Sequence, residues 1–365
     1  MRTTFLYTAA LIASFIVSGC SSSLAPATAP STLSATHRSR PFFKSKAPFA
    51  YVAQLCPSGS ACPTPNGFVA ELGGKTITDG VIDPTTLALD SSGNLYVANS
   101  TTANAGNVTV YAPQSQQPAR TLTGLVGVAH GIAVDGNGRA FVVAQYRSGC
   151  CQLEGTGDVY AAGGTQPHKH LHGLSGFAHS PVLDPSGNLY VGNFDVFPGW
   201  VSVYPPGKHT PSRTISTGIG LPVQLAIAPN GDLVVANGLF SGGSNVVVYP
   251  PGASAPSLTI AAGVSGVTGV AVDAQNNIYV ANGGDKKTKS SISVFREGQT
   301  TAWRTIQSGF KFPSALAFDG SGRLYVANVP RKGTNTIAVY AAGGSTPIRV
   351  YRLKGQFEAL AVPQS

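Results

Sequence analysis

The sequence predicts an all-β fold, a seven-bladed β-propeller of four-stranded antiparallel blades, with its ring closed by a blade drawn from both ends of the chain. Three observations carry this expectation. A strand–turn–strand signature recurs six times, at intervals of 44 to 49 residues. Two more strand-like runs follow each copy. The fragments left over at the two chain ends complete a seventh copy. Four short strands in roughly 40–50 residues is the period of a propeller blade.

The signature is clearest in Leu87-Ala-Leu-Asp90-Ser-Ser-Gly93-Asn-Leu-Tyr96-Val-Ala-Asn99, and it returns at Ile132–Gln145, Val182–Asn193, Ala226–Asn237, Val270–Asn282 and Leu316–Asn328. Apolar runs on either side of Asp-x-x-Gly read as two strands joined by a tight turn. The Asp caps the turn amides and the Gly supplies positive φ. Third strands read as Val108–Tyr111, Val159–Ala161, Val201–Tyr204, Val246–Tyr249, Ile292–Phe295 and Ile337–Tyr340. After a turn such as Tyr204-Pro-Pro-Gly207, fourth strands read as Arg120–Leu122, Lys169–Leu171, Arg213–Ile215, Leu258–Ile260, Arg304–Ile306 and Ile348–Tyr351. At the C-terminal end, Phe357–Val362 matches a first strand, with Pro363 at the turn position that Asp90 and Pro229 hold elsewhere. At the N-terminal end, Phe49–Gln54, Gly67–Gly74 and Lys75–Thr78 match the second, third and fourth strands. A composite blade of this kind leaves no open sheet edge where the ends meet.

Composition agrees with this reading. With 44 Gly, 26 Pro and only 11% charged residues in 365, the chain suits many short strands and turns rather than disorder. The formal charge of +9 is misleading until it is located. Arg2, Arg38, Arg40, Lys44 and Lys46 all precede the repeats. From residue 48 onward 19 Lys and Arg face 15 Asp and Glu, so the repeats carry only +4. No basic stripe interleaves with aromatic residues, which argues against a nucleic-acid partner.

The repeat resembles the NHL-type propellers and the lactonase and antibiotic-lyase propellers related to them, from residue 48 to the end. The resemblance implies the fold. It implies less about activity, because one fold of this kind hosts many chemistries.

Residues 1–19 read as an export signal, with Arg2 and then an apolar run from Phe5 to Val17 that is too short to span a membrane comfortably. Val17-Ser18-Gly19-Cys20 resembles a bacterial lipobox. That implies cleavage before Cys20, diacylation of its thiol and acylation of the new amino terminus. Residues 20–47, rich in Ser, Thr, Pro and Ala, read as a flexible tether to a propeller over 48–365. The expectation is an exported lipoprotein held by lipid at the bacterial envelope, in the outer membrane and periplasm or at the cell surface. Arg38, Arg40, Lys44 and Lys46 would either favour anionic headgroups or sit in a solvated linker. Ser21 resembles the residue of outer-membrane-directed lipoproteins. In an oxidising compartment Cys56 and Cys62 are expected to pair as a disulfide. Adjacent Cys150 and Cys151 are expected either to form a strained vicinal bond or to stay as thiols. No Cys/His set at zinc spacing accompanies them, so no metal is assigned.

Several repeated residues read as structural. Gln54, Asn99, Gln145, Asn193, Asn237, Asn282 and Asn328 end the second strands, where an amide can hold a loop. Tyr96, Tyr190, Tyr279 and Tyr325 read as packing between blades. One ring of positions is different. Counting five residues back from each turn position gives Thr85, His130, His179, Gln224, Thr268, Ser314 and Glu358. All are polar, and their identities change from blade to blade among near-uniform apolar neighbours. This ring is the candidate ligand-binding level, rimmed by the loops that carry Cys150, Cys151, Asp195 and Trp200.

No Gly-x-Ser-x-Gly elbow, His-Glu-x-x-His pair or phosphate loop is present. The expectation is a monomeric scaffold that binds a protein or small-molecule ligand, with no cofactor assigned. The alternative is a metal-dependent, lactonase-like hydrolase or a lyase acting on a small molecule at the channel mouth. The lyase propellers use His and Glu with magnesium. His130, His179 and Glu358 are similar in kind and are the catalytic candidates, with Ca or Mg as the cation.

Overall fold

A computed structural model describes residues 50–56, 66–102, 104–148, 152–195, 197–238, 243–284, 289–308, 311–330 and 332–363. The expected leader (1–19) and tether (20–47), together with Cys20, Cys62, Cys150 and Cys151, lie outside the described residues. Cys56 is half-buried.

Twenty-eight strands, numbered β1–β28 in chain order, form seven four-stranded antiparallel sheets. Blade 1 is β4–β7, and blades 2 to 6 follow in groups of four up to β27. Blade 7 has the order β28-β1-β2-β3, one strand from the C-terminal end and three from the N-terminal end, as the sequence implies. Its closing register pairs Tyr51 with Ala361 and Val52 with Leu360. The first strands are β4 (Pro84–Leu89), β8 (Val128–Val134), β12 (Phe177–Leu183), β16 (Leu221–Ile227), β20 (Val267–Val272), β24 (Pro313–Phe318) and β28 (Gln356–Ala361). Each packs against the first strand of the next blade, and together they line the channel.

A wedge-shaped blade needs small side chains where blades converge. Ala53, Ala98, Ala144, Ala236, Ala281 and Ala327, one in each second strand except that of blade 3, where Gly192 stands, are all fully buried. Gly131 is tighter still, since a Cβ there would lie 2.2 Å from Cδ of Pro181 on the neighbouring first strand. Further out, third-strand tyrosines fasten blades 1, 2, 3, 4 and 6 to the loops entering them. Tyr160 donates to the Thr123 carbonyl at 3.1 Å, Tyr204 to His172 at 2.7 Å and Tyr249 to Thr217 at 2.6 Å. Burial raises the Tyr249 hydroxyl to about 12, so it stays a neutral donor.

The Asp turn caps form as expected. Asp90 Oδ1 accepts from the amides of Ser92 (2.9 Å) and Asn94 (2.8 Å), and Asp135, Asp184, Asp273 and Asp319 repeat the arrangement. Blade 4 differs from the sequence reading. Ala228, not Pro229, takes the Asp90 place. Its amide donates to Asp232 O at 2.9 Å and its carbonyl accepts from Gly231 N at 2.8 Å. Proline has no N–H to close that turn.

Candidate functional site at the channel mouth

Antiparallel pairing places the start of every first strand beside the end of the second, as in Pro84 opposite Asn99. One face of the ring therefore gathers the first-strand beginnings, the terminal amides and the loops between second and third strands. This face is the mouth. The Asp-x-x-Gly turns lie on the other face.

Every first strand breaks register as it reaches the mouth. The residues left out of the ladder are Thr85, His130, Ser180 with Pro181, Val223, Thr268, Ser314 and Glu358. An extra residue of this kind re-aims its side chain and bends the strand. Five of the seven candidates thus share one structural position. The other two are displaced. His179 pairs with Gly192 and Gln224 with Ala236, because the break in blade 3 falls after His179, with Ser180 and Pro181 opposite Val191, and the blade 4 turn begins one residue earlier.

Much of this polarity is spent between blades. Thr85 Oγ1 donates to Ala129 O at 2.7 Å, and Thr268 Oγ1 donates to Pro313 O at 2.5 Å. Gln224 Oε1 accepts from Val270 N at 2.9 Å, and Ser180 Oγ accepts from Leu225 N at 2.9 Å. His179 Nε2 faces the Pro222 carbonyl, while its Nδ1 lies 3.1 Å from Phe177 O. In each case the side chain reaches the backbone of the next first strand. His179 is buried, and burial lowers its pKa against the opposing pull of the two carbonyls, so the ring is held neutral. Ser314 bonds within its own blade, to Ala327 O at 3.4 Å. His130 is half-buried and Glu358 is 8% exposed. The sequence showed which positions vary but carried no signal that their donors serve neighbouring strands.

The terminal amides hold the loops that enter each blade. Asn99 Oδ1 accepts from Ile82 N at 2.9 Å while its Nδ2 donates to Gly80 O, Asn107 Oδ1 and Thr109 Oγ1. Asn237, Asn282 and Asn328 repeat this on Gly220, Ser265 and Lys311, and Gln54 accepts from both Lys354 and Gly355. Gln145 departs from the pattern, with its Oε1 buried and unbonded among the described residues.

The rim loops differ where the ring does not. In blade 2 the second and third strands extend as a long hairpin, β9 (Ala140–Ser148) and β10 (Gln152–Tyr160), well beyond the expected Val159–Ala161. Blade 1 has a shorter version, with Thr102 opposite Ala105. In blade 3 the loop carries exposed Asp195 and Phe197, with a cis Phe197–Pro198 bond. Among the described residues, no group of three or more His, Cys, Asp or Glu is placed to hold a metal ion.

No family model matches this chain, and no curated protein matches it in sequence. Solved structures do resemble it. A protein from Lactobacillus plantarum superposes with a TM-score of 0.62 at 16% identity, over 86% of this chain and 99% of that one. Hydrazine synthase from Kuenenia stuttgartiensis superposes with a TM-score of 0.60 at 13% identity, over 74% of this chain and 79% of that one. At these identities the likeness establishes the propeller fold alone.

Proposed function

We propose that this chain is an exported bacterial lipoprotein that displays its propeller as a binding scaffold, with the ligand meeting the rim loops of the mouth. The observation that carries this reading is the use of the polar ring. Thr85, His179, Gln224 and Thr268 spend their polar atoms on neighbouring strands. Chemical variety is therefore concentrated in the loops above them, which differ in length, charge and apolar character. A rigid ring carrying variable loops is the usual arrangement of a recognition surface. The chain enters the propeller at Ala50, just before Tyr51, which pairs with Ala361. That is the turn end of blade 7, on the face opposite the mouth.

Two measurements test this. Changing Cys20→Ser is expected to move the protein from the membrane to the soluble fraction, and continued membrane fractionation would overturn the anchor. The purified protein is expected to show no lactone or ester turnover with Ca²⁺ or Mg²⁺. Turnover that His130→Ala and Glu358→Gln each abolish would replace the scaffold reading with the hydrolase alternative.

A further inference from the structure

The charge of the mouth is unevenly distributed. Four loops over blades 5, 6 and 7 carry exposed Lys289, Lys311, Lys332, Arg352 and Lys354. Backbone and side-chain bonds make these loops a continuous rim. Ser290 Oγ donates to Gly283 O at 2.8 Å and Lys311 O at 2.9 Å, and Val329 N donates to Phe312 O at 2.8 Å. Leu353 N then donates to Asn335 O at 2.9 Å, and Asn335 Nδ2 to Gly355 O at 3.3 Å. None of the five cations forms an ion pair with a described carboxylate. Among the described residues the ion pairs are Arg139–Asp135, His170–Asp158 and Arg323–Asp319. The mouth loops of blades 1 to 3 have the opposite bias, with exposed Asp79, Asp83 and Asp195 and half-buried Glu154 against exposed Arg147.

Unpaired cations of one sign along a rim raise the local concentration of anions and steer them inward. Their arrangement also narrows the class of ligand. A single phosphate is best held by groups that converge on it, typically the bidentate fork of Arg. Here four of the five groups are flexible Lys point charges, spread over three blades along an arc. That pattern fits an extended chain with repeated, separated charges. Single-stranded nucleic acid would also want aromatic platforms beneath its bases. Among the described residues, the exposed large apolar side chains are Ile82, Val126, Phe197, Trp303, Ile348 and Val350, none of them in these four rim loops.

From this we infer that the mouth over blades 5 to 7 docks an anionic polysaccharide, one bearing carboxylate or sulfate on successive sugars. The inference rests on reading the mouth as the binding face, and it supplies a ligand class for it.

The test uses the full-length protein in detergent, with polygalacturonate as the probe, neutral dextran and single-stranded DNA as comparators, and binding measured at low and moderate salt. One variant combines Lys289→Gln, Lys311→Gln, Lys332→Gln, Arg352→Gln and Lys354→Gln. A charge-matched control combines Lys75→Gln, Lys169→Gln, Lys208→Gln, Arg296→Gln and Arg349→Gln, all exposed and away from the mouth. The parent and the control should bind polygalacturonate alike. The mouth variant should bind at least about tenfold more weakly, with a shallower salt dependence, since the contacts are charge pairs that salt screens. Equal loss in both variants would mean that only net charge matters, and would overturn the proposal. So would a parent that binds no polygalacturonate, or one that binds DNA more tightly. Each of these would remove the polysaccharide while leaving the scaffold reading intact. Turnover dependent on His130 and Glu358 would instead remove the scaffold reading whatever the polymer does.

Discussion

His179 gives the sharpest test of the view that the polar ring is structural. The ring is buried, with Nε2 against the Pro222 carbonyl of blade 4, and burial lowers its pKa below the ordinary 6.5. The unfolded chain exposes the imidazole, which then titrates near its ordinary value. Below pH 6.5 the unfolded state therefore takes up a proton that the folded state refuses, and stability falls as pH falls. The slope from one such group is at most about 1.4 kcal/mol per pH unit. At pH 7.5 that contribution is fully present. His179→Gln removes the titration and disturbs the bond to Pro222. Leaving a buried carbonyl poorly satisfied costs about 1–3 kcal/mol. The assay is urea unfolding of parent and variant at pH 7.5, 6.5 and 5.5. The variant should be less stable at pH 7.5, and the gap should close toward pH 5.5 because only the parent loses the histidine term. Parallel pH profiles would refute the reasoning, as would a parent that gains stability on acidification.

Removing residues 356–365 should strip blade 7 of its channel strand, including buried Phe357, Ala359, Leu360 and Ala361, and lower the melting midpoint of the whole ring. A midpoint equal to the parent's in differential scanning calorimetry would contradict the composite closure. Asn237→Ala should leave Gly220 N and Gly218 O without their bonds of 2.7 and 2.9 Å. The expected cost is about 1–3 kcal/mol in denaturant unfolding, because the Gly220 amide is buried while the carbonyl of exposed Gly218 can turn to water. A change below about 0.5 kcal/mol, the level of an ordinary surface substitution, would show that the amide does not hold the loop.

The blades were legible because their determinants are local. Asp90 and Gly93 act within a few residues of their own position, and Asn99 acts within its own blade and the loop entering it, so each copy shows much the same letters. Closure was legible for a related reason, since Phe357–Val362 and Phe49–Thr78 are fragments of the same local pattern. Two kinds of feature escaped. The rim hairpin of blade 2 reads as Tyr-Arg-Ser-Gly-Cys-Cys-Gln-Leu-Glu, with no alternation to mark it as strand. Its pairing from Gln145–Gly155 out to Ser148–Gln152 comes from the register of the longer ladder below. The ring positions escaped because their partners lie 43 to 46 residues away in the next blade. Thr85 and Thr268 use a hydroxyl, His179 a ring nitrogen and Gln224 an amide oxygen, yet all make the same junction. A hydroxyl, a ring nitrogen or an amide oxygen serves at these four positions, so the residue type differs while the junction is kept, whereas Ser314 turns back to its own blade. Variation at such a position measures the tolerance of a hydrogen bond rather than selection for a ligand. The sequence feature that looked most like a binding site is, for these four residues, what holds the ring together.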